Sequence, residues 1–300
     1  MATAGFAGSH VAIVTPMRPD GEIDWQAWSR LVALHRENGT DGLVVGGTTG
    51  ESPTITDAEL RELVLRARSE AAGRLQIIAG VGSNSTATTV ARVREFSALG
   101  LDGLLLVTPA YNRPTQEGLF HHFEAAAAAS TVPVILYNVP GRTAVDLLPE
   151  TTARLAQLPR VVALKEAVDS VQRVRELKSL CPAQFEILSG DDATARETIA
   201  AGACGVISVT GNVAPAQMSA MIAAARRGDQ VLAAQLDARL AGLHRALFVE
   251  ANPIPVKWAM HRMGLIDGTM RLPLTDLSER YHESVAAALR QADIQLAAAA

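Results

Sequence analysis

The stretch "VVALKEA", residues 161–167, places a lysine near the end of a run that is otherwise largely apolar. Val161 to Leu164 are continuously apolar, which predicts a β-strand buried on both faces of a sheet. A lysine in such a strand loses hydration, so it needs a partner or a chemical purpose. Of the 27 Lys and Arg residues only Lys165, Lys178 and Lys257 are lysines. We therefore interpret Lys165 as a candidate functional amine.

Apolar runs of the same kind recur along the chain at intervals of about 25–30 residues, the length of a βα unit. Longer amphipathic stretches with helical periodicity separate them. The runs are "HVAIVTPM", "DGLVVGG", "LQIIAGVG", "DGLLLVTPA", "VPVILYNVP", "VVALKEA", "FEILSGD" and "GVISVTGN". Predicted helix N-caps are Asp24, Thr56, Ser85 and Thr115, and predicted C-terminal stops are Gly39 and Gly100.

This alternation of strands and helices predicts an α/β fold, a (β/α)8 TIM barrel. An open doubly wound sheet is the alternative, but the first strand lacks the Gly-rich dinucleotide loop that usually follows it there. After about residue 229 the strand-like runs stop, and "QVLAAQLDARLAGLHRALFVE", "NPIPVKWAMHRMGL" and "LTDLSERYHESVAAALRQADI" indicate helices. We expect a catalytic barrel over residues 1–228 and a C-terminal helical extension over residues 229–300.

Composition argues against several classes of partner. A net charge of −4 and 4% aromatic residues disfavour nucleic acid, which requires a basic surface and stacking side chains. No secretory signal is recognisable, and no apolar run has the roughly 18–20 residues needed to span a bilayer. Cys181 and Cys204 are too few and too far apart for a disulfide framework or a zinc site. We expect a cytoplasmic protein.

Polar side chains cluster where the predicted strands end, which is where a barrel carries its chemistry. The second strand ends in "GGTTGES", residues 46–52, whose hydroxyls and backbone N–H groups predict an anion-binding turn; an ordinary tight turn is the alternative. Tyr111 and Tyr137 follow the fourth and fifth strands, although either could be a core aromatic. Tyr137 precedes Lys165 by one βα unit, so the two should face each other across neighbouring strands.

Lys165 in this position predicts covalent catalysis. Desolvation favours the neutral amine, which attacks carbonyl carbons to form a Schiff base. A salt bridge or a snorkelling lysine is the alternative, but strand alternation turns adjacent Glu166 to the opposite face. Lys178 on a predicted helix and Lys257 after the barrel are not expected to lie at the barrel mouth. Arg142 is a candidate clamp for a carboxylate, and no motif for a catalytic metal is present.

Eight motifs together resemble the pyruvate-dependent class I aldolases, the family of N-acetylneuraminate lyase. They are "VAIVTPM", "GTTGES", "TPAYNRP", "YNVPGRT", "LKEA", "LSGDD", "GVISVT" and "FVEANPIPVKWA". The resemblance runs along nearly the whole chain. It implies a Schiff base between Lys165 and pyruvate, without a metal or an organic cofactor. By the same resemblance Tyr137, Thr48 and Tyr111 form a proton relay, Thr49 binds the pyruvate carboxylate, and Gly190 and Ile207 line the pocket.

The resemblance is greatest to family members that condense pyruvate with L-aspartate-4-semialdehyde in lysine and diaminopimelate biosynthesis. It implies that Arg142 binds the carboxylate of the aldehyde, that the protein is a homotetramer built as a dimer of dimers, and that Tyr111 reaches a neighbouring subunit's site. A sister aldolase or dehydratase acting on another 2-oxo acid is the alternative. A non-catalytic barrel and a pyridoxal-phosphate enzyme are more distant ones.

One departure from the family concerns regulation. Lysine-inhibited relatives build an effector pocket from polar, acidic and aromatic groups. Ser52 and Asn84 are retained here, but Leu60, Thr88 and Ala110 stand where a histidine, a glutamate and an aromatic residue are expected. We therefore predict weak or absent feedback inhibition by L-lysine.

Overall fold

The computed structural model describes residues 5–297. Its eight parallel strands are hydrogen-bonded in chain order and close into a barrel, which confirms the predicted TIM-barrel fold. The strands are β1 (Gly8–Ala12), β2 (Gly42–Val45), β3 (Gln76–Gly80), β4 (Gly103–Val107), β5 (Val134–Asn138), β6 (Val161–Glu166), β7 (Glu186–Ser189) and β8 (Gly205–Ser208).

Helices follow the strands and begin where the capping residues predict. The side chains of Asp24, Thr56, Ser85 and Thr115 each accept a backbone N–H of the first helical turn, which satisfies a donor that the helix leaves unpaired. The helices before residue 229 are α1 (Trp25–Glu37), α2 (Asp57–Ala71), α3 (Thr86–Ser97), α4 (Gln116–Ala129), α5 (Pro140–Thr143), α6 (Pro149–Leu155), α7 (Val171–Leu180), α8 (Ala195–Ala200) and α9 (Pro215–Arg226). Gly39 and Gly100 follow α1 and α3 with positive φ, as expected of helix stops.

The barrel interior is a packed core. Each strand contributes a buried side chain to one interior cluster: Ala12, Val44, Ile78, Leu105, Ile135, Ala163, Leu188 and Ile207. A second, larger cluster lies between the strands and the surrounding helices. Burial on both faces explains why the strand sequences are continuously apolar rather than alternating.

Three further helices complete the described chain: α10 (Gln230–Ala246), α11 (Ile254–Arg262) and α12 (His282–Gln291). The helix predicted from residue 274 begins only at His282, after a 3-10 turn over Glu279–Tyr281. The division at residues 228 and 229 stays a proposal; it falls between α9 and α10. Among the described residues, no helix combines the length and apolarity needed to cross a membrane.

Candidate active site

Lys165 and Tyr137 lie at the carboxyl end of the barrel. They follow the interior residues Ala163 and Ile135 by two positions, so strand alternation turns them to the same inward face. The two residues are direct partners in the register of β5 and β6. Lys165 is 5% exposed and Tyr137 is 7% exposed. The Lys165 Nζ lies 4.4 Å from the centroid of the Tyr137 ring, so the amine and the phenol share one desolvated pocket.

A cavity of about 130 Å³ lies at this mouth, a volume suited to a small molecule. Its lining combines the Lys165 amine with residues that lie on, or directly after, six of the other seven strands. Predicted site residues in the lining are Thr48, Thr49, Tyr137, Arg142, Lys165 and Gly190. Phe248 and Asn252 from the C-terminal extension also line it. The structure therefore brings six of the eight predicted residues together.

The turn after β2 carries both threonines. Thr48–Gly50 form a 3-10 turn, which ends at Glu51 in the left-handed region with φ 60°. The Glu51 carboxylate accepts from the Lys257 Nζ at 2.6 Å and from the Arg271 backbone N–H at 3.1 Å. Both side chains of the Lys257–Glu51 pair are fully buried. The C-terminal extension therefore fixes the end of the predicted anion-binding turn.

Asn252 connects two of the predicted substrate-binding residues. Its Nδ2 donates to the Thr49 Oγ1 at 2.9 Å, and its backbone oxygen accepts from the Arg142 Nη2 at 3.0 Å. Thr49 and Asn252 are buried, whereas Arg142 is exposed on the short helix α5 after β5. A guanidinium at the rim above a buried amine is suited to hold a carboxylate of the incoming ligand.

Gly190 allows β6 and β7 to approach each other at the cavity. A Cβ at this position would lie 2.8 Å from the Ala167 Cβ, closer than packed carbon atoms come. The Gly190 backbone N–H donates to the Glu166 backbone oxygen at 2.7 Å. Asp191 also lines the cavity, while its carboxylate accepts from the backbone and the hydroxyl of Thr194 before α8.

Two predicted residues lie away from this cavity. Ile207 is fully buried in the barrel interior, in the cluster that contains Tyr137. Tyr111 is 92% exposed on the loop after β4, with a φ of 75°. The positive φ is unfavourable for an aromatic residue. The contact of Ile207 with substrate and the reach of Tyr111 into a neighbouring subunit stay predictions.

A buried polar network lies behind the lysine and the tyrosine, on the outer face of the same strands. The Asn138 Nδ2 donates to the Glu166 Oε1 at 3.0 Å and to the Asp146 Oδ1 at 2.7 Å. The Asn138 Oδ1 accepts from the backbone of Leu147, and Arg173 pairs with Asp146 at 2.6 Å. The network ties the loop after Arg142 to β5 and β6.

Glu166 gives this network a pH-dependent stability. Burial raises the pKa of its carboxyl to about 7, from 4.5 in an exposed chain. The folded state therefore binds this proton more tightly than the unfolded state, and the resulting stabilisation is lost as pH rises from about 4.5 to 7. Glu166→Gln, which resembles the protonated acid, should remove that part of the pH dependence. Denaturant unfolding of both proteins across this range measures the difference.

The matched control for this measurement is Glu176→Gln, at an exposed position of α7. It should leave the pH dependence of the free energy of unfolding as it is in the unaltered protein. Parallel pH profiles for the Glu166→Gln variant and the unaltered protein would contradict the prediction.

Sequence reasoning missed the contribution of the C-terminal extension. Lys257 was expected to lie away from the barrel mouth because its helix follows the barrel, yet it pairs with Glu51 beside the threonine turn. The available signal was that Lys257, one of only three lysines, lies within the apolar stretch "IPVKWAM". Asn252 gave no comparable signal, since its partner Thr49 is 203 positions away.

A closed (β/α)8 barrel with a buried lysine amine, a tyrosine beside it and an arginine at the rim is an arrangement suited to a lyase that forms a Schiff base with a carbonyl substrate. Comparison with known proteins gives the family. The model of the dihydrodipicolinate synthetase family matches residues 5–292. The chain belongs to this family.

Individual relatives are similar to this chain along nearly the whole length of both chains. The 4-hydroxy-tetrahydrodipicolinate synthase of Methylococcus capsulatus is 51% identical over 287 residues, covering 96% of this chain and 99% of the relative. The pyruvate complex of the chloride-inhibited dihydrodipicolinate synthase from Acinetobacter baumannii matches with a TM-score of 0.95 and 47% identity, covering 97% and 100% of the two chains. The lysine-bound enzyme of Cyanidioschyzon merolae has a TM-score of 0.93 and 38% identity, covering 97% and 99%.

Proposed function

We propose that this protein condenses pyruvate with L-aspartate-4-semialdehyde to give 4-hydroxy-tetrahydrodipicolinate and water. The observation that carries the proposal is the buried Lys165 amine, 4.4 Å from the Tyr137 ring centroid, in a small cavity that also contains Thr49 and Arg142. Its relatives of about 50% identity bear the name of this activity.

Lys165 begins the reaction. Its Nζ attacks C2 of pyruvate, and the resulting carbinolamine loses its hydroxyl as water to give an iminium. Tyr137, Thr48 and Tyr111 of a neighbouring subunit move the protons that this step requires. Thr49 and the backbone N–H groups of its turn hold the pyruvate carboxylate. The iminium withdraws electrons from the methyl group, which loses a proton to form an enamine.

The second substrate then enters under Arg142, whose guanidinium binds the carboxylate of L-aspartate-4-semialdehyde. The enamine carbon attacks the aldehyde carbon, and the aldehyde oxygen takes up a proton to become the 4-hydroxyl. The amine of the former semialdehyde attacks the iminium carbon and displaces the Lys165 amine. Ring closure and release of the enzyme are therefore the same step.

The test is the initial rate with both substrates, coupled to reduction of the product by a dihydrodipicolinate reductase. We expect turnover that depends on pyruvate and on the semialdehyde. Borohydride with pyruvate alone should add the mass of one reduced pyruvate to the protein. If the adduct forms but no turnover is seen, the Schiff base is supported and L-aspartate-4-semialdehyde is rejected as the second substrate. The protein would then be a sister aldolase or dehydratase. Absence of both would reject the proposal.

Assembly into a homotetramer and a cytoplasmic location are parts of the same proposal. Tyr111 supports the assembly, because an aromatic side chain that is 92% exposed at a φ of 75° is unfavourable in a single chain. Packing of this tyrosine into a neighbouring site would bury it. Cys181 and Cys204 are free thiols, which agrees with a reducing compartment.

We expect L-lysine to inhibit this enzyme weakly. A cavity of about 510 Å³ beside the threonine turn is lined by Ser52, Leu60, Asn84 and Ala110. Leu60 and Ala110 offer no side-chain hydrogen bond to a zwitterion and no aromatic face to its alkyl chain. Initial rates measured against L-lysine at constant ionic strength should show no half-inhibition in the sub-millimolar range. Half-inhibition below a millimolar would contradict this prediction.

A further inference from the structure

The Thr49 hydroxyl receives a hydrogen bond from the C-terminal extension. Thr49 is 2% exposed, and its Oγ1 accepts a hydrogen bond from the Asn252 Nδ2 at 2.9 Å. A hydroxyl has one proton to donate and two lone pairs that accept. Because the amide occupies a lone pair, the proton stays free for another acceptor.

Asn252 is held in a position that allows this role. Its backbone oxygen accepts from Arg142 at 3.0 Å, and helix α11 begins two residues later. Lys257 on that helix is anchored by the Glu51 carboxylate and by the backbone oxygens of Thr15 and Thr269. The side chain of Asn252 is therefore carried by a segment that buried hydrogen bonds anchor to the barrel, and it lies in the lining of the Lys165 cavity.

We propose that Asn252 is a positioning residue whose amide, by donating to Thr49, turns the threonine hydroxyl proton toward the carboxylate of the 2-oxo acid on Lys165. This inference rests on the proposed function, since it requires pyruvate at Lys165. A donor aimed at a carboxylate forms a charge-assisted hydrogen bond, whereas an oxygen lone pair aimed at it is repelled. Asn252 thus determines whether Thr49 attracts or repels the substrate.

Asn252→Asp tests the direction of this hydrogen bond with almost no change of shape. An ionised aspartate only accepts, so it takes the Thr49 proton and leaves the threonine lone pairs facing the pyruvate carboxylate. We expect the half-saturating pyruvate concentration for borohydride trapping to rise roughly 10- to 100-fold, the value of a hydrogen bond to a charged group. Turnover at saturating pyruvate should change much less. An unchanged half-saturation would overturn the inference.

A double-substitution cycle with Thr49→Val separates this effect from the added charge. Valine keeps the shape of threonine but has no hydroxyl, so Thr49→Val alone should also weaken pyruvate binding. If Asn252 acts through Thr49, adding Asn252→Asp to the valine variant should raise the half-saturation by at most about twofold. The same fold increase in both backgrounds would show direct charge repulsion and overturn the inference.

Asn252→Ala provides a second variant in case the aspartate disturbs folding. It removes the donor without introducing an acceptor, so the Thr49 hydroxyl can still rotate toward the substrate. We expect an increase in half-saturation smaller than that of Asn252→Asp, and a larger one would contradict the inference. Trapping uses pyruvate alone, without the semialdehyde. Failure to trap pyruvate on the unaltered protein would overturn the proposed function and this inference together.

Discussion

Lys165→Ala is expected to lower the turnover of the coupled reaction by at least about 1,000-fold, because it removes the nucleophile of the proposed covalent pathway. The fold should persist, since Lys165 contributes a single amine at the open end of the packed interior. Lys165→Arg should be equally inactive, because a guanidinium keeps the charge but forms no imine with a ketone. Initial rates and borohydride-trapped mass measure both consequences.

Lys178→Ala is the matched control for this prediction. Lys178 lies on α7, outside the cavity, and its removal should leave turnover and trapping unchanged. If Lys165→Arg retained substantial activity, the charge of the side chain rather than its nucleophilicity would explain the residue. A trapped pyruvate adduct in Lys165→Ala would place the Schiff base on another amine.

Lys257→Met should produce the largest loss of stability. Burial lowers the pKa of Lys257, while the Glu51 carboxylate acts in the opposite direction and favours the charged amine. Both side chains of the pair are fully buried, and they meet at 2.6 Å. Removing one charge leaves the other without compensation, so we expect the free energy of unfolding to fall by about 3–5 kcal/mol. Denaturant unfolding at neutral pH measures this value.

The double variant Lys257→Met with Glu51→Gln distinguishes loss of a partner from loss of packing. It contains no uncompensated buried charge, so it should be more stable than Lys257→Met alone. Lys178→Met, at a half-buried position on the barrel surface, should change the free energy of unfolding by no more than about 0.5 kcal/mol. A loss below about 1 kcal/mol for Lys257→Met would mean that the pair is dispensable.

Local patterns in the sequence predicted much of the fold. Continuously apolar runs marked the strands, and Asp24, Thr56, Ser85 and Thr115 marked helix starts that the structure confirms. Such signals work because a cap or a buried strand depends on neighbours within a few positions. The helix predicted from residue 274 was wrong in its start, since "LTDLSER" has helical periodicity but lies largely in a loop before His282.

The candidate site was predictable where the barrel itself orders the residues. Tyr137 and Lys165 each lie one residue before the end of adjacent strands, and one βα unit between them is enough to make them partners. The supporting contacts were not predictable. Asn252 meets Thr49 across 203 positions, and Lys257 meets Glu51 across 206. No periodicity connects residues so far apart.

The sequence by itself therefore determined the barrel, the order of its strands and the position of the Lys165 amine at its mouth, because each depends on short-range patterning repeated along the chain. Only the tertiary structure decided how the threonine turn is held. The C-terminal extension packs against the barrel mouth and inserts Lys257 and Asn252 behind that turn. Buried polar groups must find partners wherever the chain brings them, and that choice is made by packing between distant segments.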